Sequence, residues 1–155
     1  MERKTKIHAE DGQQDIVITR EFDLPVALLF RAYEDAGIVE QWMGTKVVKL
    51  ESKKHGGYEF ETSDPQGNVV FKCHGVIHDI IADLKIVRTF EMDSPGFTTQ
   101  MEFLEFEKLT EDTSKLTMHI IYRSVDHRAQ QLKLPFAQGL NWAHNRLQEV
   151  VSNLK

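Results

Sequence analysis

Scarcity narrows this sequence before any motif does. It holds a single cysteine, Cys73, so no internal disulfide can form and packing must hold the fold, as expected in a reducing compartment. No apolar run reaches the ~20 residues that span a bilayer as a helix. The opening MERKTKIHAEDGQQ is polar and reads as neither signal peptide nor membrane span, so a cytoplasmic location and no membrane partner are expected. Positive charge is in the minority, with 19 Lys and Arg against 24 Asp and Glu and a formal charge of -5. Basic clusters go no further than Arg3-Lys4 and Lys53-Lys54, so nucleic acid is not an expected partner. GxGxxG, the phosphate loop, HExxH and GxSxG are all missing, so no cofactor and no catalytic residue is assigned. Proline occurs four times: Pro25 and Pro135 stand at helix starts, and Pro65 and Pro95 in turns.

What is present is periodic. From Phe136 to Leu154, Leu140, Ala143, Leu147, Val150, Val151 and Leu154 fall on one stripe of a helix. A lone helix of that length is marginal in water, so the stripe needs a wall. Residues 1–14 are expected to form a flexible leader and 15–155 one domain, since 155 residues are enough to bury a sizeable core. DIVITREF reads as a first strand, and VALLFRAYED and AGIVEQWM as two short helices ended by Gly44. From Lys46 to Arg123 the period becomes two. Six strands separated by short turns follow: KVVKLE, GYEFET, NVVFKCHGVIHDI, KIVRTFEM, TTQMEFLEFEKL and SKLTMHIIYRS. Short turns imply antiparallel hairpins, hence an α+β domain with a seven-stranded curved meander packed against the C-terminal helix.

Alternation assigns the faces. Val69, Phe71, Cys73, Gly75 and Ile77 share one side of their strand, with Tyr58 and Phe60 beside Phe71. Ile86, Arg88, Phe90 and Met92 share the next inward face, and Leu116, Met118, Ile120 and Tyr122 the last. TTQMEFLEFEKL carries Met101 and Phe103 in one phase and Leu104 and Phe106 in the other, so either both faces are covered or a bulge shifts the register. Met101 is placed inward.

These residues carry a resemblance. ITREFDLPVALLFRAYED, VEQWMG, DPQG, GVIHDI, IVRTFE, SPGF, LEFEK and SVDHRAQQLKLPFAQGL occur in the order and spacing of one branch of the START-like, helix-grip superfamily. That branch is named after the activator of heat-shock-protein ATPase, and the resemblance covers roughly residues 15 to 154. It implies an antiparallel seven-stranded sheet around the long C-terminal helix, with two short helices between the first two strands and a cavity between sheet and helix. The sequence departs from the branch at Met43, Thr45, Phe97 and Ala129.

A cavity in this fold is expected to be lined by Trp42, Tyr58, Phe60, Phe71, Cys73, Arg88, Phe90, Met101, Met118, Tyr122, Phe136 and Leu140, and to take a small apolar, aromatic, polyketide-like or lipid-like molecule. A packed core of the same residues is the plainer account. Arg88 reads either as a cavity cation for an anionic or carbonyl-bearing ligand or as an outward residue paired with a carboxylate. Turned inward, it must have a partner. A cyclase or hydrolase using Arg88, Tyr58 or Tyr122 is the enzymatic alternative, and a chaperone-interaction module the third. His74 and His78 share a strand face about 13 Å apart, too far to bind one metal ion together, so no metal is expected. Trp142 lies off the helical stripe and is expected either to pack under a loop or to meet a partner, such as a second copy of the chain.

Overall fold

The computed structural model describes residues 3–94, 97–133 and 136–155. The elements run β1 Lys6–His8, β2 Asp15–Phe22, α1 Val26–Glu34, α2 Ala36–Met43, β3 Lys46–Leu50, β4 Gly57–Ser63, β5 Val69–Ile81, β6 Lys85–Met92, β7 Gln100–Lys108, β8 Ser114–Ile121, α3 Val125–Lys133 and α4 Phe136–Ser152. All strands join one antiparallel sheet in the order β1-β2-β8-β7-β6-β5-β4-β3. From β3 to β8 each strand pairs with the next, which is the expected meander, and β2 closes onto β8.

Two elements go beyond the expectation. Inside the segment read as a leader, Lys6–His8 pair with Val17 to Thr19 and add an eighth strand at the sheet edge. Helix α3 was not foreseen because it has no apolar stripe; among its described residues only Arg128 is buried. That arginine donates from Nε to the carbonyl of Asp15 and from its terminal nitrogen to that of Glu10. Polar backbone capture seats this helix, with Leu132 packed partly buried against the core.

Local chemistry places the short helices. The Asp35 carboxylate accepts from the Ile38 amide and starts α2, and Gly44 ends it at φ 63°, a left-handed turn that glycine adopts without strain. Trp42 is buried and donates its indole N–H to the carbonyl of Ala32, locking α2 onto α1. Leu147 and Val151 of α4 are fully buried, and α4 lies against α2 and α1. Leu154, expected on the same stripe, falls beyond the helix and is exposed.

The sheet's inner face carries Ile16, Ile18, Arg20 and Phe22 of β2, Leu116, Met118 and Ile120 of β8, and Leu104 and Phe106 of β7, all buried. β7 pairs in unbroken register with both neighbours, so no bulge splits its two phases. Gln100, Glu102, Leu104 and Phe106 point inward, and Met101 points outward beside Phe103, correcting its expected placement. Register shifts occur instead at Val48 in β3 and at Val70 and His78 in β5.

Candidate functional site

Between the sheet's inner face and the first half of α4 lies a cavity of about 560 Å³. Its walls are mostly apolar: Ile18, Phe60, Phe90, Met92, Met118 and Ile120 from the strands, Val39, Trp42 and Met43 from α2, and Phe136, Leu140 and Ala143 from α4. Phe97 and Gln131 approach from the β6–β7 connection and α3. Trp142, 63% exposed, stands at the rim with the Arg146 guanidinium 5.9 Å from its ring. No described loop covers it, which overturns the expectation that it packs under one.

One stretch of wall is polar. Arg88 of β6 and Glu102 of β7 are direct cross-strand partners, and Arg88 Nε donates to Glu102 Oε1 at 2.9 Å. Gln100, one alternation earlier on β7, donates from Nε2 to Glu102 Oε2 at 2.7 Å. The two charged side chains are only 14% and 5% exposed. The Arg88 guanidinium carbon lies 5.3 Å from the Tyr58 ring centre and 6.0 Å from that of Tyr33. Arg88 therefore faces inward, against the outward reading, and has the carboxylate partner that an inward arginine requires. Tyr122 completes the set, its hydroxyl pushed up to about 12 by burial and then by Glu102, so it stays protonated at neutral pH.

Several expected wall residues serve elsewhere. Tyr58 is buried but donates its hydroxyl to the carbonyl of Thr89, an approach that Gly75 keeps open: a Cβ there would lie 2.0 Å from that carbonyl oxygen and 2.7 Å from the hydroxyl. Cys73 is fully buried on β5, outside the lining but between the wall residues Phe60 and Met92, and burial pushes its thiol up to about 11, the opposite of an activated nucleophile. Phe71 is half-buried against the core beside Thr62. Met101 faces outward. The remaining candidates, Trp42, Phe60, Arg88, Phe90, Met118, Tyr122, Phe136 and Leu140, come together around the void.

Glu102, Gln100, Tyr33 and His144 were missed. A charged residue on a strand reads as solvent-facing, yet the signal existed: an inward Arg88 requires a carboxylate, and the β7 phase holding Leu104 and Phe106 also holds Glu102. His144 of α4 is 1% exposed, with Nδ1 hydrogen-bonded to Thr5 Oγ1 at 2.7 Å. Arg20 donates to Thr5 Oγ1 and to Asn141 Oδ1, which also accepts from the Thr5 amide. This net ties the N-terminal segment to α4. Burial, then Arg20, pushes the His144 ring down to about 3, so it is neutral in the fold.

The outer face is different in kind. His74 lies 3.2 Å from Glu91 and 3.1 Å from Asp93, a half-exposed ion-pair group that does not include His78. His119 pairs with Asp15 at 2.6 Å, and that hydrogen bond lowers the pKa of Asp15.

Residues 23–152 match the family described as Activator of Hsp90 ATPase homolog 1-like protein. The chain belongs to this family. Its match begins just after β2, so within the described residues every cavity-lining element except β2 lies inside it. A protein from Rhodobacter sphaeroides has the same fold, with a TM-score of 0.83 at 15% identity over 97% of this chain and 100% of that one. Proteins from Arthrobacter aurescens and Mycobacterium smegmatis align at TM-scores of 0.82 and 0.80, with identities of 15% and 17%, over 96% and 94% of this chain and 91% and 94% of theirs. Identities this low establish the helix-grip fold of the Hsp90 ATPase activator homologue-like family and nothing finer. No match was found among curated proteins.

Proposed function

We propose that the protein binds a small, largely apolar molecule of aromatic, polyketide-like or lipid-like character between the sheet and α4. The observation that carries this is the 560 Å³ void itself. Protein interiors pack to crystal density, and an apolar void of this size forfeits contacts unless something fills it. Its volume falls in the range of ligand pockets, and its apolar walls surround a few fixed polar groups, as in sites that orient a ligand.

Binding ranks ahead of turnover because Glu102, the carboxylate that faces the cavity, is held in an ion pair with Arg88, and among the described residues no second carboxylate stands in the lining. A thermal-shift screen against apolar metabolites tests the reading. A ligand at 100 times its dissociation constant stabilises by about 2.7 kcal/mol, enough for a shift of several degrees. A shift confined to one chemical class supports the proposal; no shift across a broad panel overturns it.

A further inference from the structure

The cavity's polar wall says what sort of polar group the ligand carries, an inference that rests on the binding function proposed above. Arg88 and Glu102 are both almost fully buried and neutralise one another. The wall therefore presents no net charge, but it presents both hydrogen-bonding roles. Glu102 accepts from Arg88 Nε and Gln100 Nε2, which leaves lone pairs on both carboxylate oxygens. The terminal amino groups of Arg88 make no hydrogen bond to the described residues and are held near the rings of Tyr58 and Tyr33. Tyr122 lines the same cavity with a protonated hydroxyl.

We propose that the ligand is an uncharged amphipathic molecule, a fused-ring or similarly bulky apolar body bearing a hydroxyl group that docks on Arg88, Glu102 and Tyr122. A hydroxyl can donate to Glu102 and accept from Arg88 or Tyr122 at once. A carboxylate or phosphate cannot: it would bring a second anion beside Glu102, into a site where the single guanidinium is already paired. A ligand cation meets the mirror problem at Arg88. An unsubstituted hydrocarbon fits the walls but leaves the buried polar groups unsatisfied.

The test is a matched series titrated by ligand fluorescence at neutral pH: phenanthrene, 9-phenanthrol and phenanthrene-9-carboxylate. The phenol is expected to bind about tenfold or more tighter than either of the others. Glu102→Gln removes the anion, leaves Arg88 uncompensated and should reverse the order of phenol and carboxylate. If that variant does not fold, the charge-free pair Arg88→Met with Glu102→Met is expected to bind phenol and hydrocarbon alike. Equal binding of all three probes, or tighter binding of the carboxylate, by the unmodified protein overturns the hydroxyl assignment and leaves the binding function standing. Silence from all three, together with a silent metabolite panel, overturns both.

Discussion

The two halves of α4 share one apolar stripe and meet opposite surroundings. In the second half, Leu147 and Val151 are fully buried against α2 and α1. In the first, Phe136, Leu140 and Ala143 are only partly buried and face the void. Periodicity fixes the direction of a helix face, while the elements opposite decide whether that face is filled. Here the α1–α2 insertion fills one end of the groove and leaves the other open. The first arrangement serves stability, and the second leaves the space on which the proposed binding rests.

The comparison breaks most visibly at matched leucines. Leu147→Ala should cost about 3 kcal/mol, within the usual range for a fully buried leucine, and lower the melting temperature by roughly 10 °C. Leu140→Ala removes the same atoms from a cavity wall that already lacks partners, so about 1 kcal/mol or less is expected, with weaker ligand binding instead. Equal stability losses in the two variants, measured by denaturant unfolding, would mean that the two halves are packed alike.

His144 sits at the boundary and sharpens the contrast through pH. Its ring is held down to about 3 in the fold, against the ordinary 6.5 of an unfolded chain. The folded protein resists the proton and the unfolded chain takes it, so this contribution to stability is complete above pH 6.5 and is lost as pH falls toward 3. Within that window each pH unit costs on the order of 1 kcal/mol. Lowered carboxylates such as Asp15, Glu51 and Asp79 add acid sensitivity of their own. The readout is therefore the difference between the protein and His144→Asn, which keeps a polar atom for Thr5 and has nothing to titrate. Parallel stability curves between pH 6.5 and 4 would show that the ring is not held neutral.

Much of this architecture was legible because strands and helices announce themselves by period. The meander, the α1–α2 pair and the α4 stripe all followed from apolar spacing and turn residues. What escaped has no period to read. Three residues, Lys6–His8, are too few to alternate, and VDHRAQQLK has polar residues on every side because Arg128 anchors it through carbonyls. At the cavity, wall residues such as Phe60, Phe90, Met118 and Leu140 were visible from their phases, Tyr58, Phe71, Cys73 and Met101 fell outside the lining, and the polar partner was hidden in a strand whose two phases looked equally apolar. Only a requirement of physics, that a buried guanidinium needs a carboxylate, chooses between them.

The smallest expected effect is at the rim. Trp142 is exposed at the cavity rim and Trp42 is buried in its wall, so the two tryptophans report separately on the mouth and the interior of the open half. Trp142→Ala should move the melting temperature by no more than about 2 °C, as for other surface positions, and leave the elution volume on gel filtration unchanged. Its effect should appear in fluorescence: an apolar ligand entering beside Trp142 alters emission in the unmodified protein, and the alanine variant keeps only the part of that response that comes from Trp42 in the wall, with most of the affinity retained. A larger elution volume for the variant would place Trp142 between two copies of the chain. In that case the rim of the open half is covered in solution, and ligand entry would have to be coupled to dissociation.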